Sequence, residues 1–149
     1  NYWYYGVDVE SKGVEFEATG KLSDNTSLVL GYTQLKMSNQ DGGSTYTWVP
    51  RRTANLMLTS RLPAYEALSF GLGGRWQSDT STKESYTNMV VRQGSYAVLN
   101  AFIAWDVLPN ATVRANINNL TDQKYINSLY QIGYYGAPRN YQLSFDWRF

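Results

Sequence analysis

Clustered aromatic side chains are the residues of this sequence with the most chemistry to offer: Tyr2, Trp3, Tyr4 and Tyr5 in NYWYYG, Tyr46 and Trp48 in STYTWVP, and Tyr130, Tyr134 and Tyr135 in LYQIGYYG. Rigid amphipathic rings bury a large area while losing few rotamers, so such clusters suit the capture of a bulky, partly aromatic ligand. The competing reading is loop packed against loop, or rings in an interfacial belt. Glu15 and Glu17 share one side of an extended segment and resemble a glycosidase carboxylate pair. With Arg61, Arg75, Arg114 and Arg148 they read better as inward-facing charges on neighbouring strands. Cysteine and histidine are both absent. That excludes disulfides, Cys/His zinc sites, Ser-His-Asp triads and Cys-His pairs, and no enzyme activity is expected.

Lys and Arg total 13 against 12 Asp and Glu, and the charges are scattered, so nothing favours a nucleic-acid partner. The longest apolar runs span only a few residues, whereas a membrane helix needs about 20. The opening NYWYYGVDVE has neither the basic segment nor the apolar stretch of a secretory signal, and is expected to be a processed end or a cut. Asn25, Asn110 and Asn119 begin N-x-S/T triplets and read as turn chemistry. Asp41-Gly42-Gly43 reads as a loop tip.

The elements that must position these residues are strands. Seven segments alternate with a period of two: GVEFEATG, SLVLGYTQLKM, TANLMLTSRL, LSFGLGGRWQ, YAVLNAFIAWDV, ATVRANIN and the closing NYQLSFDWRF. In the last, Tyr141, Leu143, Phe145, Trp147 and Phe149 oppose Asn140, Gln142, Ser144, Asp146 and Arg148. Val29 and Phe102 break the alternation. Connections alternate as well: KLSDNTS, LPAYEA and LPNA are short, whereas residues 38–52, 78–94 and 119–138 are long.

Short turns at one end and long loops at the other describe an antiparallel transmembrane β-barrel of a bacterial outer membrane. A soluble sandwich also alternates, but its polar face is typically rich in Lys, Glu and Thr. Here that face is Gly, Ser, Asn, Gln and charges of both signs, and Tyr32, Trp76, Trp105 and Trp147 fall near strand ends, as interfacial girdles require. Seven is an odd count, and an open sheet in lipid leaves two unpaired edges costing several kcal/mol per group. The expectation is therefore that residues 1–149 form part of a larger barrel and begin inside an extracellular loop.

Several segments resemble TonB-dependent outer-membrane receptors of the siderophore branch: SKGVEFEATGKLSDNTSLVLGYT, VPRRTANLMLTSRLP, LGGRWQS and GSYAVLNAFIAWDV. Most specific are NNLTDQKYINS and GYYGAPRNYQLSFDWRF, similar to that family's closing signature of an Asn-Leu-x-Asp-x-x-Tyr loop, a Gly-x-Pro-Arg turn and a terminal Phe. The resemblance implies the last seven or so strands of a 22-stranded barrel whose plug and earlier strands lie outside these residues. It implies import of ferric siderophores, with iron entering only as the ferric siderophore and no cofactor bound directly. It also implies, as partners, TonB through an N-terminal part, outer-membrane lipid and lipopolysaccharide, and the barrel-assembly machinery. The loop aromatics would then meet the ferric chelate. Tyr141, Leu143, Phe145, Trp147 and Phe149 would form the assembly signal, a strand edge that adds to a growing sheet. Arg139 is expected to fix the last loop. A general porin without TonB coupling and a soluble sugar-binding sandwich are the alternatives from other classes.

Overall fold

Eleven strands and no helix form among the described residues, 8–84, 87–130 and 133–149, of the computed structural model. They are β1 (Val9–Ser23), β2 (Thr26–Asn39), β3 (Arg52–Leu62), β4 (Tyr65–Gln77), β5 (Thr80–Lys83), β6 (Val90–Gln93), β7 (Tyr96–Leu108), β8 (Ala111–Asn118), β9 (Ile126–Ser128), β10 (Tyr134–Tyr135) and β11 (Asn140–Trp147). Seven of them make one antiparallel sheet in the order β1-β2-β3-β4-β7-β8-β11, matching the seven alternating segments of the sequence. Two small hairpins, β5 with β6 and β9 with β10, form inside the long connections, which show no alternation in the sequence. The first strand is also longer than its alternation implied, starting at Val9 rather than near Gly13.

Register explains which residues face which way. One row crosses all seven strands: Gly20, Leu28, Leu58, Leu72, Ala101, Ile117 and Tyr141. No polar side chain interrupts it. Side chains alternate across a strand, so the neighbouring residues form the opposite face, and one of its rows reads Thr59, Gly71, Phe102, Asn116 and Gln142. A one-residue slip would exchange the two sets, so the apolar face pins the pairing.

Among the described residues nothing covers the apolar face. Val14 is 69% exposed and Leu143 75%, and Phe16, Ile103, Phe145 and Trp147 are exposed beside them. No large side chain among the described residues is fully enclosed, and the buried cluster is confined to Tyr96, Val98 and Tyr125. A sandwich would have stacked a second sheet on this face; here the sheet is a single open layer, the geometry of a barrel wall whose greasy side meets lipid. β1 and β11 are its two unpaired edges.

The two residues that broke the alternation fall on the polar face for local reasons. Phe102 lies against Gly71 across the ladder, where an added Cβ would come within 2.2 Å of its ring. The Arg114 guanidinium caps that ring at 4.2 Å, a cation–π contact. Val29 stands opposite Met57 in β3. Of the four aromatics assigned to strand ends, Tyr32 and Trp76 share one row at the long-loop end of the outer face. Trp105, whose Nε1 donates to the Tyr65 hydroxyl at 3.1 Å, and Trp147 lie at the short-turn end.

Candidate functional site: the long-loop end and the polar face beneath it

Three of the aromatic residues singled out in the sequence come together. Trp48 meets Tyr46 edge-on with ring centroids 4.9 Å apart and Tyr130 in a tilted contact at 5.2 Å. This joins the connection between β2 and β3 to the connection between β8 and β11. Tyr46 has φ of 50°, a left-handed conformation uncommon outside glycine and asparagine, and its carbonyl accepts the amide of Val49 in a tight turn. The backbone thus turns under the two rings. Tyr134 and Tyr135, in β10, are exposed and make no ring contact among the described residues. Tyr2, Trp3, Tyr4 and Tyr5 lie outside the described residues.

Arg51 holds the loop that presents Trp48. Its Nη2 donates to the Thr45 carbonyl and to Ser44 Oγ, and its backbone amide, like that of Arg52, donates to the buried Ser78 hydroxyl. Thr47 then ties the same loop to β5, donating from Oγ1 to the Ser81 carbonyl at 2.7 Å. Burial of the guanidinium draws its pKa below the ordinary arginine value, and its Nη1 is buried without a partner among the described residues.

The connection between β8 and β11 closes on itself through the residues of the NNLTDQKY and GAPR segments. Asn119, 2% exposed with φ of 53°, donates from Nδ2 to the carbonyls of Gln123 and Ala137 and accepts the Gln123 amide at Oδ1. Asp122, φ 52°, accepts the Arg139 amide at Oδ1, 3.0 Å. Asn and Asp tolerate this backbone and can bond to it. Tyr125 stacks on Tyr96 at 4.4 Å, takes a hydrogen bond from Arg75 Nη2 at 3.0 Å, and is covered by Gly136, where a Cβ would lie 1.9 Å from the ring. Arg139 fixes this loop as expected, although through its backbone rather than its guanidinium.

Glu15, Glu17, Arg61, Arg75 and Arg114 all fall on the polar face of the sheet. Glu15 and Glu17 form no ion pair with Arg61, Arg75, Arg114 or Arg148; among the described residues the single ion pair is Lys12 with Glu10 at 2.5 Å, on the outer face. Glu15 and Glu17 both lie on β1, the edge strand at the opposite end of the sheet from β8 and β11. Arg75 instead serves Tyr125 and Asn127. Arg61, Arg114 and Arg148 line an open cavity of about 370 Å³ with Asp106 and Asp146 at the short-turn end. No group of three or more Asp or Glu side chains suited to a metal forms among the described residues. Sequence reasoning missed Tyr96, Tyr125, Arg51 and Asn119 as organisers of this end. The Asn-Leu-x-Asp-x-x-Tyr spacing was the available signal for two of them.

In β11, Tyr141, Leu143, Phe145 and Trp147 all project from the outer face, highly exposed, with Phe149 just beyond, and Phe145 and Trp147 meet edge-on at 6.3 Å. Among the described residues β11 pairs only with β8.

Comparison with known proteins agrees with this architecture. The family described as TonB dependent receptor-like, β-barrel matches residues 2–120. The chain is 31% identical over 143 residues to the ferric-pyoverdine BN7/BN8 receptor of Pseudomonas putida, covering 95% of this chain and 17% of that receptor. It is 30% identical to the ferrioxamine B receptor of Salmonella typhimurium, covering 95% of this chain and 22% of that one. The solved pyoverdine outer membrane receptor FpvA of Pseudomonas aeruginosa bound to pyoverdine superposes with a TM-score of 0.87 at 26% identity, over 99% of this chain and 23% of the receptor. The chain thus spans about a fifth of the length of the relatives it matches. An open seven-stranded wall with an uncovered apolar face, matched across most of its length, is a segment of an outer-membrane barrel, and the chain belongs to the TonB-dependent receptor-like β-barrel family.

Proposed function

We propose that this chain forms part of the barrel wall and of the extracellular mouth of a receptor that binds ferric siderophores and imports them with energy passed through TonB. The observation that carries the reading is the Tyr46–Trp48–Tyr130 cluster, which joins two long loops at one end of the wall. Rings held on loops that are themselves hydrogen-bonded lose little freedom when a bulky chelate settles on them. Similarity to receptors named for ferric pyoverdine and ferrioxamine supports this ligand class over a general porin. Iron enters as the ligand's metal; no resident cofactor is assigned to the chain.

In this reading Tyr134 and Tyr135, and Tyr2, Trp3, Tyr4 and Tyr5, extend the aromatic lining of the mouth. The polar face, with Arg61, Arg114, Arg148, Asp106 and Asp146, meets a plug domain inside the barrel. Further strands of the receptor satisfy the β1 and β11 edges. Tyr141, Leu143, Phe145, Trp147 and Phe149 present the alternating aromatic edge that the barrel-assembly machinery engages.

The deciding experiment is uptake of radiolabelled ferric chelates by iron-starved cells carrying the full-length receptor, with and without TonB. TonB-dependent accumulation of one chelate class is expected. Diffusion of small solutes irrespective of TonB would overturn the reading in favour of a porin.

A further inference from the structure

Arg75 sits in the polar-face row of Gly31, Asn55 and Val98, on the side where Tyr125 stacks on Tyr96. A single nitrogen, Nη2, donates both to the Tyr125 hydroxyl and to Asn127 Oδ1, each at 3.0 Å. The guanidinium carbon stands 5.5 Å from the centre of the Tyr125 ring. Between those two residues the Ile126 amide donates to Gln93 Oε1 of β6 at 2.7 Å. Three consecutive residues, 125–127, are thus each held by a side chain of a wall strand or of its neighbouring hairpin, and β9 begins at the middle one. Hydrogen bonds from a charged donor are the stronger kind, so this is a firm root for an otherwise exposed loop. Tyr130 lies two residues beyond the end of β9, and its ring reaches Trp48 at 5.2 Å. With 56% of its surface exposed, Tyr130 has little local packing to fix it. Three steps of chain, about 10 Å when extended, separate it from Asn127. Where the root of β9 sits therefore decides where the ring sits.

We propose that Arg75 is a positioning residue for chelate binding: by clamping Tyr125 and Asn127 it sets the Tyr130 ring against Trp48. This rests on the reading of the aromatic cluster as the ligand site. Arg75 acts through the loop and not by touching the ligand. A ring already in place when the chelate arrives loses little freedom on binding, whereas a ring on an unrooted loop must be ordered first. The planar fork of a guanidinium suits this task, because it holds two acceptors in one fixed geometry.

The test is a double-mutant cycle in the full-length receptor, with ferric pyoverdine and ferrioxamine B as probes. Fluorescence quenching reads the Kd, and hydrogen exchange over residues 125–130 reads the loop. An aromatic contact is worth roughly three- to tenfold in affinity, so Arg75→Met raises the Kd by about that factor. Amides of residues 125–128 then exchange faster while those of β1, β2 and β3 keep the wild-type rate. In a Tyr130→Ala background the same substitution changes the Kd by less than about twofold. A general loosening of the barrel, or direct contact between Arg75 and the chelate, would cost affinity whether or not Tyr130 is present. An undiminished effect in that background overturns the proposal, and so does wild-type exchange over residues 125–128. Heat-modifiable migration on a gel reports that the barrel has folded. Should Arg75→Met not fold, Tyr125→Phe with Asn127→Ala decides: it removes both acceptors, keeps the ring on Tyr96, and is expected to give the same loss with the same dependence on Tyr130. A wild-type Kd for that pair sinks the idea. A Kd indifferent to both Trp48→Ala and Tyr130→Ala defeats the ligand reading instead, and hydrogen exchange in Arg75→Met then judges the clamp separately.

Discussion

Trp48 is the residue on which the ligand reading turns, because it alone touches both Tyr46 and Tyr130. Aromatic anchors at the centre of a binding patch carry energies of about 2 kcal/mol or more. Trp48→Ala in the full-length receptor is therefore expected to raise the Kd for the ferric chelate by about tenfold or more, measured by quenching of intrinsic fluorescence on titration, and Tyr135→Ala is expected to have less effect because its ring stands apart. An unchanged Kd for Trp48→Ala would remove the cluster from the binding site. Gly136 gives a second residue-scale prediction. Its backbone lies on the Tyr125 ring, and the Cβ of alanine has no room there. Gly136→Ala should cost about 1–3 kcal/mol as an overpacking substitution, opening the 119–139 connection to limited proteolysis while leaving the barrel strands protected. Cleavage no faster than in wild type would show that the ring yields freely.

At the scale of the strand, the two faces of β11 make opposite demands. Leu143 is on the outer face and its neighbour Gln142 on the inner face, in the same row as Asn116 and Phe102. Leu143→Arg, like Ile103→Arg in the same outer row, should cost about 2–4 kcal/mol and impair assembly, whereas Gln142→Arg should be far milder. Refolding into lipid vesicles followed by gel mobility reads the difference. Equal tolerance at the two positions would contradict the facing assigned here. The same logic explains the glycine at position 71: on the polar face a strand can carry a large ring such as Phe102 only where its neighbour gives up its side chain.

The described residues form a single layer with one apolar face and two open edges, an arrangement that water disfavours. The chain expressed by itself is expected to partition into detergent extracts and to be absent from buffer extracts. Recovery of monodisperse chain in buffer alone would show that the apolar face finds cover within the chain. An even, closed strand count is the arrangement that leaves no backbone group unpaired in hydrocarbon; the remaining strands of a receptor supply it in the proposed function.

Residue order by itself determined the seven wall strands, their up-and-down connection and the division into a greasy and a wet face. The reason is that alternation with a period of two is a local property, written wherever one side of a strand meets oil and the other meets water. It also marked the closing Asn-Leu-x-Asp-x-x-Tyr and Gly-x-Pro-Arg segments without saying what they do. Only the tertiary structure decided that Asn119, Asp122, Tyr125 and Gly136 clasp one loop, that Tyr46, Trp48 and Tyr130 meet while Tyr134 and Tyr135 stand apart, and that Arg75 bonds to Tyr125 and Asn127. Those outcomes depend on register and on how loops from distant parts of the chain settle over one another, and neither leaves a periodic trace in sequence. Arg75 and Asn127 lie 52 positions apart in the sequence and meet only because the 119–139 connection settles over the polar face of β4, which is why the clamp at the root of β9 is visible in the fold and not in the string of letters.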